Sequence, residues 1–144
     1  MALTRSVVAQ EAPAALCEGV DIEFLAPDHP VETRGAAAAI AMAVKNLIAN
    51  AVRHGGTADP IVVEVVEPAA IRVIDRGRGI PPEKREDLLK PFVRGNTDRE
   101  GVGLGLAIVA QAVTLHDGVI NIIDTPGGGA TFELLFPPAC PGGC

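Results

Sequence analysis

The sequence predicts an α/β fold, in which a mixed five-stranded sheet carries three helices on one face. Two observations support this fold class. Its 144 residues correspond to one domain. Segments with helical character alternate with short β-branched runs in the order helix, strand, helix, two strands, helix, two strands. That order favours a mixed sheet with helices on one face.

The first half of the chain predicts one helix on each side of a strand. Leu3 to Leu16 reads as a helix, and Val20 to Leu25 alternates enough to form a strand. Proline-rich turn chemistry follows, and Val31 to Thr33 adds a possible short strand. A long Ala-rich helix runs from Gly35 to about His54, where two further glycines provide a C-cap.

The second half predicts two hairpins separated by a helix. Ile61 to Val66 and Ala70 to Asp75 are β-branched runs joined by a short turn. Pro82 to Leu89 reads as a short helix, and the polar segment Lys90 to Glu100 predicts a mobile loop. An apolar helix then ends near His116.

Two strands complete the predicted sheet. Val119 to Ile123 follows an Asp-Gly turn, and Ala130 to Phe136 follows the glycine-rich turn Pro126 to Gly129. We therefore expect the folded domain to span residues 1–137 and a flexible tail to occupy residues 138–144.

Composition narrows the classes of partner. A formal charge of −6 and a pI near 5.0 argue against nucleic acid bound through phosphate contacts. Tyr and Trp are both absent, so stacking on single strands is also disfavoured. No apolar run is long enough to span a bilayer and no secretion leader is recognisable, so we expect a cytoplasmic domain. Three cysteines form no framework, and reduced thiols are expected in preference to a metal site at Cys140 and Cys144.

A polar stripe marks the long helix. Asn46, Asn50, Arg53 and His54 recur at i, i+4, i+7 and i+8, which places them on one helical face. Asn supplies a neutral oxygen for a hard cation, and Arg supplies forked donors for phosphate. Magnesium-bound phosphates would satisfy this stripe, although a solvated helix face is an equally good interpretation of the stripe alone.

A carboxylate ends the third predicted strand. Asp75 is followed by Gly77 and Gly79, which allow close backbone approach. The pattern is neither a Rossmann fingerprint nor a Walker phosphate loop. A carboxylate accepts a hydrogen bond from the amine of adenine and repels the carbonyl of guanine, with about 1.5–3 kcal/mol at stake. The alternative is an ordinary Asp-x-Gly turn.

A second glycine segment precedes the apolar helix. Gly101, Gly103 and Gly105 alternate with Val102, Leu104 and Leu106. We expect a loop anchored by its apolar residues, whose backbone wraps phosphate at a helix N-terminus. A flexible hinge without a ligand is the alternative.

Together these segments resemble the ATP-binding domains of sensor histidine kinases. Asn46-x-x-x-Asn50-Ala51 looks like their N box, and Asp75-x-Gly77-x-Gly79-Ile80-Pro81 like their G1 box. Pro91-Phe92-Val93-Arg94 is similar to their F box, and Gly101-x-Gly103-Leu104-Gly105-Leu106 to their G2 box. Gly129-Ala130-Thr131-Phe132 resembles their terminal hairpin. The four boxes stand in the family's order.

The resemblance implies a two-layer α/β sandwich (α+β), shared with gyrase, heat-shock chaperone and mismatch-repair ATPases, and ATP and Mg²⁺ as ligands. Asn50 would hold Mg²⁺, with Asn46 flanking the ion and phosphates. Arg53 would touch the phosphates, and His54 would lie near the nucleotide. The remaining binding roles would fall to the adenine-side group Asp75, Gly77, Gly79, Ile80 and Thr131, and to the G2-box residues Gly101, Gly103, Leu104, Gly105 and Leu106. Phe92 would anchor the lid, the charged segment Lys90 to Gly105, and Arg94 could reach the terminal phosphate.

One departure bears on the reaction. ATP hydrolases of this fold carry a Glu four residues before the magnesium Asn, where this chain has Asn46, which is no base near neutral pH. His29, His54 and His116 do not stand in a phosphoacceptor motif. The resemblance therefore implies a catalytic domain that gives the γ-phosphoryl group to a histidine on a separate dimerisation domain, in a homodimeric parent with a response regulator. Anti-sigma-factor serine kinases and a regulatory module without transfer are the alternatives.

Overall fold

The computed structural model describes residues 2–17, 19–28, 37–54, 59–67, 69–77, 83 and 102–137. These residues form three helices and five strands. They are α1 (Ala2–Cys17), β1 (Ile22–Leu25), α2 (Ala37–His54), β2 (Ile61–Val66), β3 (Ala70–Ile74), α3 (Val102–Leu115), β4 (Val119–Asp124) and β5 (Ala130–Leu135).

The strands form one mixed sheet in the order β1-β2-β3-β5-β4. β1 runs parallel to β2, with Ile22 opposite Ile61, because α2 provides the crossover that a parallel pair requires. The other three pairs are antiparallel. The mixed five-stranded sheet with three helices confirms the fold class that the sequence predicts.

The core lies between the sheet and the helices. Alternate side chains of the central strands point into it, among them the fully buried Val73 and Phe132. α2 meets them with Leu47 and Ile48, while α1 and α3 flank α2. Each such side chain contributes roughly 1.5–3 kcal/mol by leaving water. The face of α2 that carries Leu47, Ile48 and Ala51 is therefore the buried face.

The opposite face of the sheet carries a polar row across four strands. Arg72 Nε donates a hydrogen bond to Glu133 Oε2 at 2.8 Å, and Arg72 Nη1 lies 3.6 Å from Glu64 Oε1. Asn121 Nδ2 donates to the other oxygen of Glu133 at 3.4 Å. The hydrogen bond that Arg72 donates to Glu133 raises the pKa of Arg72 above its usual value, against the opposing effect of partial burial. This row marks the side of the sheet that the helices leave uncovered.

Several element bounds differ from those predicted. The first strand begins at Ile22 instead of Val20, and α3 begins at Val102. Other predictions lie outside the described residues: the short strand 31–33, the polar loop 90–100, the tail 138–144 and most of the helix 82–89, of which Glu83 is helical. No described helix is both long and apolar enough to cross a membrane.

Candidate functional site

Asn46 and Asn50 lie where the buried face of α2 meets its exposed face, and both residues are half-buried. Asn46 Nδ2 donates a hydrogen bond to the carbonyl oxygen of Met42, one turn earlier, at 2.8 Å. This bond orients the amide and leaves Asn46 Oδ1 as the acceptor that can face a ligand.

Asn50 Oδ1 is buried and has no hydrogen-bond partner among the described residues. A buried acceptor without a partner destabilises a fold by about 1–3 kcal/mol. A folded protein tolerates that penalty where a ligand supplies the missing contact. A neutral amide oxygen is a ligand that Mg²⁺ accepts, so Asn50 fits the predicted role.

Two other predicted residues complete the α2 stripe by their position. Arg53 and His54 are the last residues of α2, so all four residues of the stripe lie within one helix. Their side chains lie outside the described part of the structure.

Asp75 directly follows β3 and is only 6% exposed. Its Oδ1 accepts hydrogen bonds from the backbone N–H groups of Gly77 at 2.9 Å and Ala130 at 3.3 Å. Oδ2 accepts none from any described residue. The carboxylate is thus held by one oxygen, with the other left to accept a hydrogen bond from an exocyclic amine.

The two halves of the site share the helix-covered side of the sheet. Asp75 lies two residues beyond Val73, so the alternation along β3 directs both side chains toward the helices. α2 contacts β3 directly and carries Asn50 on that same side. A site that uses both Asp75 and Asn50 requires them to lie on one side of the sheet, and both lie on its helix-covered side.

Thr131 lies on the other face of the sheet. It is paired with Ile74, the residue before Asp75, and its hydroxyl is 2.9 Å from that of Thr125. Thr125 Oγ1 in turn donates to the carbonyl oxygen of Asp75 at 2.9 Å. Thr131 therefore reaches Asp75 only through Thr125, a residue that the sequence did not single out. The available signal was a hydroxyl residue immediately before the predicted Pro-Gly-Gly-Gly turn.

The second glycine segment differs from the loop that the sequence predicts. α3 begins at Val102, so Gly103, Leu104, Gly105 and Leu106 already belong to its first turns. The loop expectation is wrong for these four residues, since the apolar helical pattern extends through the glycines. Backbone N–H groups in a first turn have no partner within the helix, which preserves the reason for expecting an anion there.

The remaining predicted site residues lie outside the described residues. They are Gly79, Ile80, Phe92, Arg94 and Gly101. No group of three or more His, Cys, Asp or Glu side chains that could hold a metal occurs in the described part of the chain. The protein ligand that the sequence predicts for a metal here is the amide of Asn50, and the phosphates would supply the charge.

Comparison with known proteins agrees with this geometry. The model of the family "Histidine kinase-, DNA gyrase B-, and HSP90-like ATPase" matches residues 35–139. The sensor-type histidine kinase PrrB of Mycobacterium tuberculosis is 40% identical over 106 residues, which cover 72% of this chain and 24% of PrrB. The chain thus spans about a quarter of the length of the curated relatives it matches.

Two solved structures extend the likeness to the fold. The crystal structure of the ATP binding domain of PrrB from Mycobacterium tuberculosis has a TM-score of 0.67 at 28% identity, over 94% of this chain and 93% of that domain. Full-length ShkA, solved in complex with AMPPNP, has a TM-score of 0.78 at 25% identity, over 96% of this chain and 30% of ShkA.

These findings place the chain among the GHKL-type ATP-binding domains. It belongs to the histidine kinase-, DNA gyrase B- and HSP90-like ATPase family, and its relatives there are sensor histidine kinases. Nothing in the comparisons favours the anti-sigma-factor serine kinase interpretation.

Proposed function

We propose that residues 1–137 bind Mg²⁺-ATP and present its γ-phosphoryl group to a histidine on a separate dimerisation domain. The observation that carries the proposal is the buried carboxylate of Asp75, oriented through one oxygen by two backbone N–H groups. The free oxygen would accept the adenine amine. A complex of the related ShkA with an ATP analogue supports ATP as the ligand.

Magnesium would be held at the α2 end of the site. Asn50 offers a buried oxygen that has no partner among the described residues, and Asn46 presents a second oxygen one turn earlier. Mg²⁺ usually takes one or two protein ligands and completes its shell with phosphates and water. The ion would neutralise charge on the phosphates, and Arg53, Arg94 and the N-terminus of α3 would add positive charge.

The residues of this chain would act by positioning ATP. Phosphoryl transfer requires alignment and charge neutralisation more than covalent chemistry. No carboxylate stands one turn before Asn50, because Asn46 occupies that position. The chain would therefore hold ATP without activating water, and the acceptor imidazole would come from the other domain.

The partners follow from the class of the relatives. The matching segment makes up about a quarter of the length of these sensor histidine kinases, so we propose a homodimeric parent that supplies the histidine and phosphorylates a response regulator. A cytoplasmic position for this domain remains a prediction.

Replacing Asp75 tests the adenine role. Asp75→Asn retains an oxygen for the Gly77 and Ala130 N–H groups but turns an NH₂ group toward the adenine amine. ATP affinity should fall roughly 10- to 100-fold. Inosine triphosphate (ITP) has a carbonyl in place of the amine, so the preference of the wild-type chain for ATP over ITP should disappear. Isothermal titration calorimetry measures both.

Asp59→Asn, at an exposed position, is the matched control and should change neither affinity. Unchanged ATP affinity in a folded Asp75→Asn variant would exclude adenine recognition by this carboxylate.

Because Asn46 cannot act as a base, we also expect transfer to a histidine in preference to hydrolysis of ATP. The purified chain should release phosphate from ATP only slowly, whereas a histidine-bearing dimerisation domain from a related kinase should become labelled from γ-labelled ATP. Brisk turnover by the chain alone would place it with the hydrolases instead. Labelling of a serine would favour the anti-sigma-factor type.

A further inference from the structure

We propose that Thr125 and Thr131 are positioning residues for adenine recognition, acting on Asp75 from the opposite face of the sheet. This inference rests on the proposed role of Asp75. Neither threonine touches the nucleotide in this arrangement. Their two hydroxyl groups fix the main chain from which the Asp75 carboxylate projects.

The hydroxyl groups form a directional chain. Thr125 Oγ1 donates its only proton to the carbonyl oxygen of Asp75 at 2.9 Å. The 2.9 Å contact between the two hydroxyls must then use the proton of Thr131. Both residues are buried, at 4% and 5% exposure, so water does not readily replace either bond. Serial bonds of this kind strengthen one another in a buried setting.

Thr125 and Ala130, which lie at the two ends of the turn between β4 and β5, together bond three polar groups of Asp75. The Asp75 N–H donates to the Ala130 carbonyl at 3.0 Å, and the Ala130 N–H donates to Asp75 Oδ1 at 3.3 Å. Thr125 takes the remaining backbone group, the carbonyl. Without the Thr125 hydroxyl, that carbonyl has no hydrogen-bond donor among the described residues.

The peptide after Asp75 is also packed tightly against this turn. Gly129 has a φ of +108°, and a Cβ there would overlap the Asp75 carbonyl oxygen and lie 2.6 Å from Arg76 Cα. Arg76 Nη1 donates to the Pro126 carbonyl at 2.9 Å. The same peptide leads to Gly77, whose N–H orients the carboxylate. Loosening the carbonyl therefore changes the direction of the carboxylate.

A merely structural role for Thr125 makes a different prediction from a positioning role. Loss of a structural contact lowers the free energy of unfolding and leaves the preference between nucleotides unchanged. Loss of a positioning contact lowers the preference for the amine-bearing base, since only that base donates to Asp75. The ratio of ATP to ITP affinity distinguishes the two roles.

The test uses the whole chain with ATP and ITP as probes in calorimetry. Thr125→Val replaces the hydroxyl with a methyl group of similar size, and ATP affinity should fall about tenfold while ITP affinity changes less than about twofold. Thr125→Ser, which restores the hydroxyl, should recover the ATP/ITP ratio. Thr131→Val removes only the second donor and should lower the ratio about threefold. Thr114→Val, at an exposed position on α3, is the matched control.

The outcomes separate this inference from the proposed function. If Asp75→Asn abolishes the preference for ATP and the folded Thr125→Val variant keeps it, the positioning role is refuted and the adenine role stands. If Asp75→Asn also keeps the preference, both fail. If Thr125→Val does not fold, Thr131→Val decides: an unchanged ratio refutes the inference, and a lowered ratio supports it.

Discussion

The proposed adenine end and the proposed phosphate end of the site are built differently. At the adenine end, Asp75 is held by backbone N–H groups and by the Thr125 hydroxyl, which together form a bonded network within the protein. At the phosphate end, Asn50 presents a buried oxygen that has no partner among the described residues. One end is ordered by the protein, while the other holds a polar group that a ligand would satisfy.

This difference separates a group that favours selectivity by its rigidity from a group whose binding of a cation stabilises the fold. A preorganised carboxylate loses little freedom when the base arrives, so it favours selectivity. A buried amide without a partner lowers the free energy of unfolding of the free protein. That loss is recovered only when a cation binds. Substitutions at the adenine end should therefore alter stability and selectivity. Substitution of Asn50 should weaken magnesium binding and raise the stability of the free protein.

The largest effect is expected for Asn50→Ala in the presence of Mg²⁺. Loss of a partner outside the first ligand shell already weakens metal binding 10- to 100-fold, so loss of a direct ligand should weaken Mg²⁺-dependent ATP affinity at least about 100-fold. Calorimetry with Mg²⁺ and with EDTA isolates the metal-dependent part. Asn121→Ala, on the uncovered face of the sheet, is the control. If Mg²⁺ raised ATP affinity equally in the Asn50 variant and the wild-type chain, Asn50 would not be a ligand of the metal.

A second comparison probes the turn that holds Asp75. Gly129→Ala should lower the free energy of unfolding about 2 kcal/mol more than Gly128→Ala. Both glycines have positive φ, +108° and +120°, but a Cβ meets nothing within 4 Å at Gly128, whereas at Gly129 it overlaps the Asp75 carbonyl. Urea unfolding measures the difference. Equal losses would show that the turn does not pack against the Asp75 peptide.

A smaller effect of opposite sign is expected for Asn50→Ala without nucleotide. The change removes an unsatisfied acceptor and introduces a better helix former, so the free energy of unfolding should rise by about 1 kcal/mol. Asn121→Ala, which loses a hydrogen bond to Glu133, should show no such gain. A clear loss of stability in the Asn50 variant would mean that its side chain is satisfied within the free protein.

The smallest effect is expected far from both ends. Arg72→Met keeps the aliphatic part of the side chain and removes the ion pairs with Glu133 and Glu64, in which the Arg72 side chain is 37% exposed. Because solvent screens such pairs, the loss should stay below about 1 kcal/mol, and ATP affinity should not change. A change in ATP affinity would show that the uncovered face communicates with the site.

Local pattern was enough to predict most of the elements. The hairpin of β2 and β3 follows from two β-branched runs around a short turn, and the buried face of α2 follows from the spacing of Leu47, Ile48 and Ala51. The start of α3 was less predictable, because glycines in a first helical turn read locally as a loop. Helix packing against α2 outweighs that weak local preference.

The sequence by itself determined which chemical groups the site contains, since the spacing of Asn46 and Asn50 and the strand end at Asp75 are local features of the chain. Only the tertiary structure decided which groups support them. Thr125 and Thr131 lie about 50 residues from Asp75 along the chain. Strand pairing brings the Thr125 hydroxyl to the Asp75 carbonyl and the Thr131 hydroxyl to that of Thr125. Contacts between such distant segments depend on sheet order and register, which no local pattern encodes.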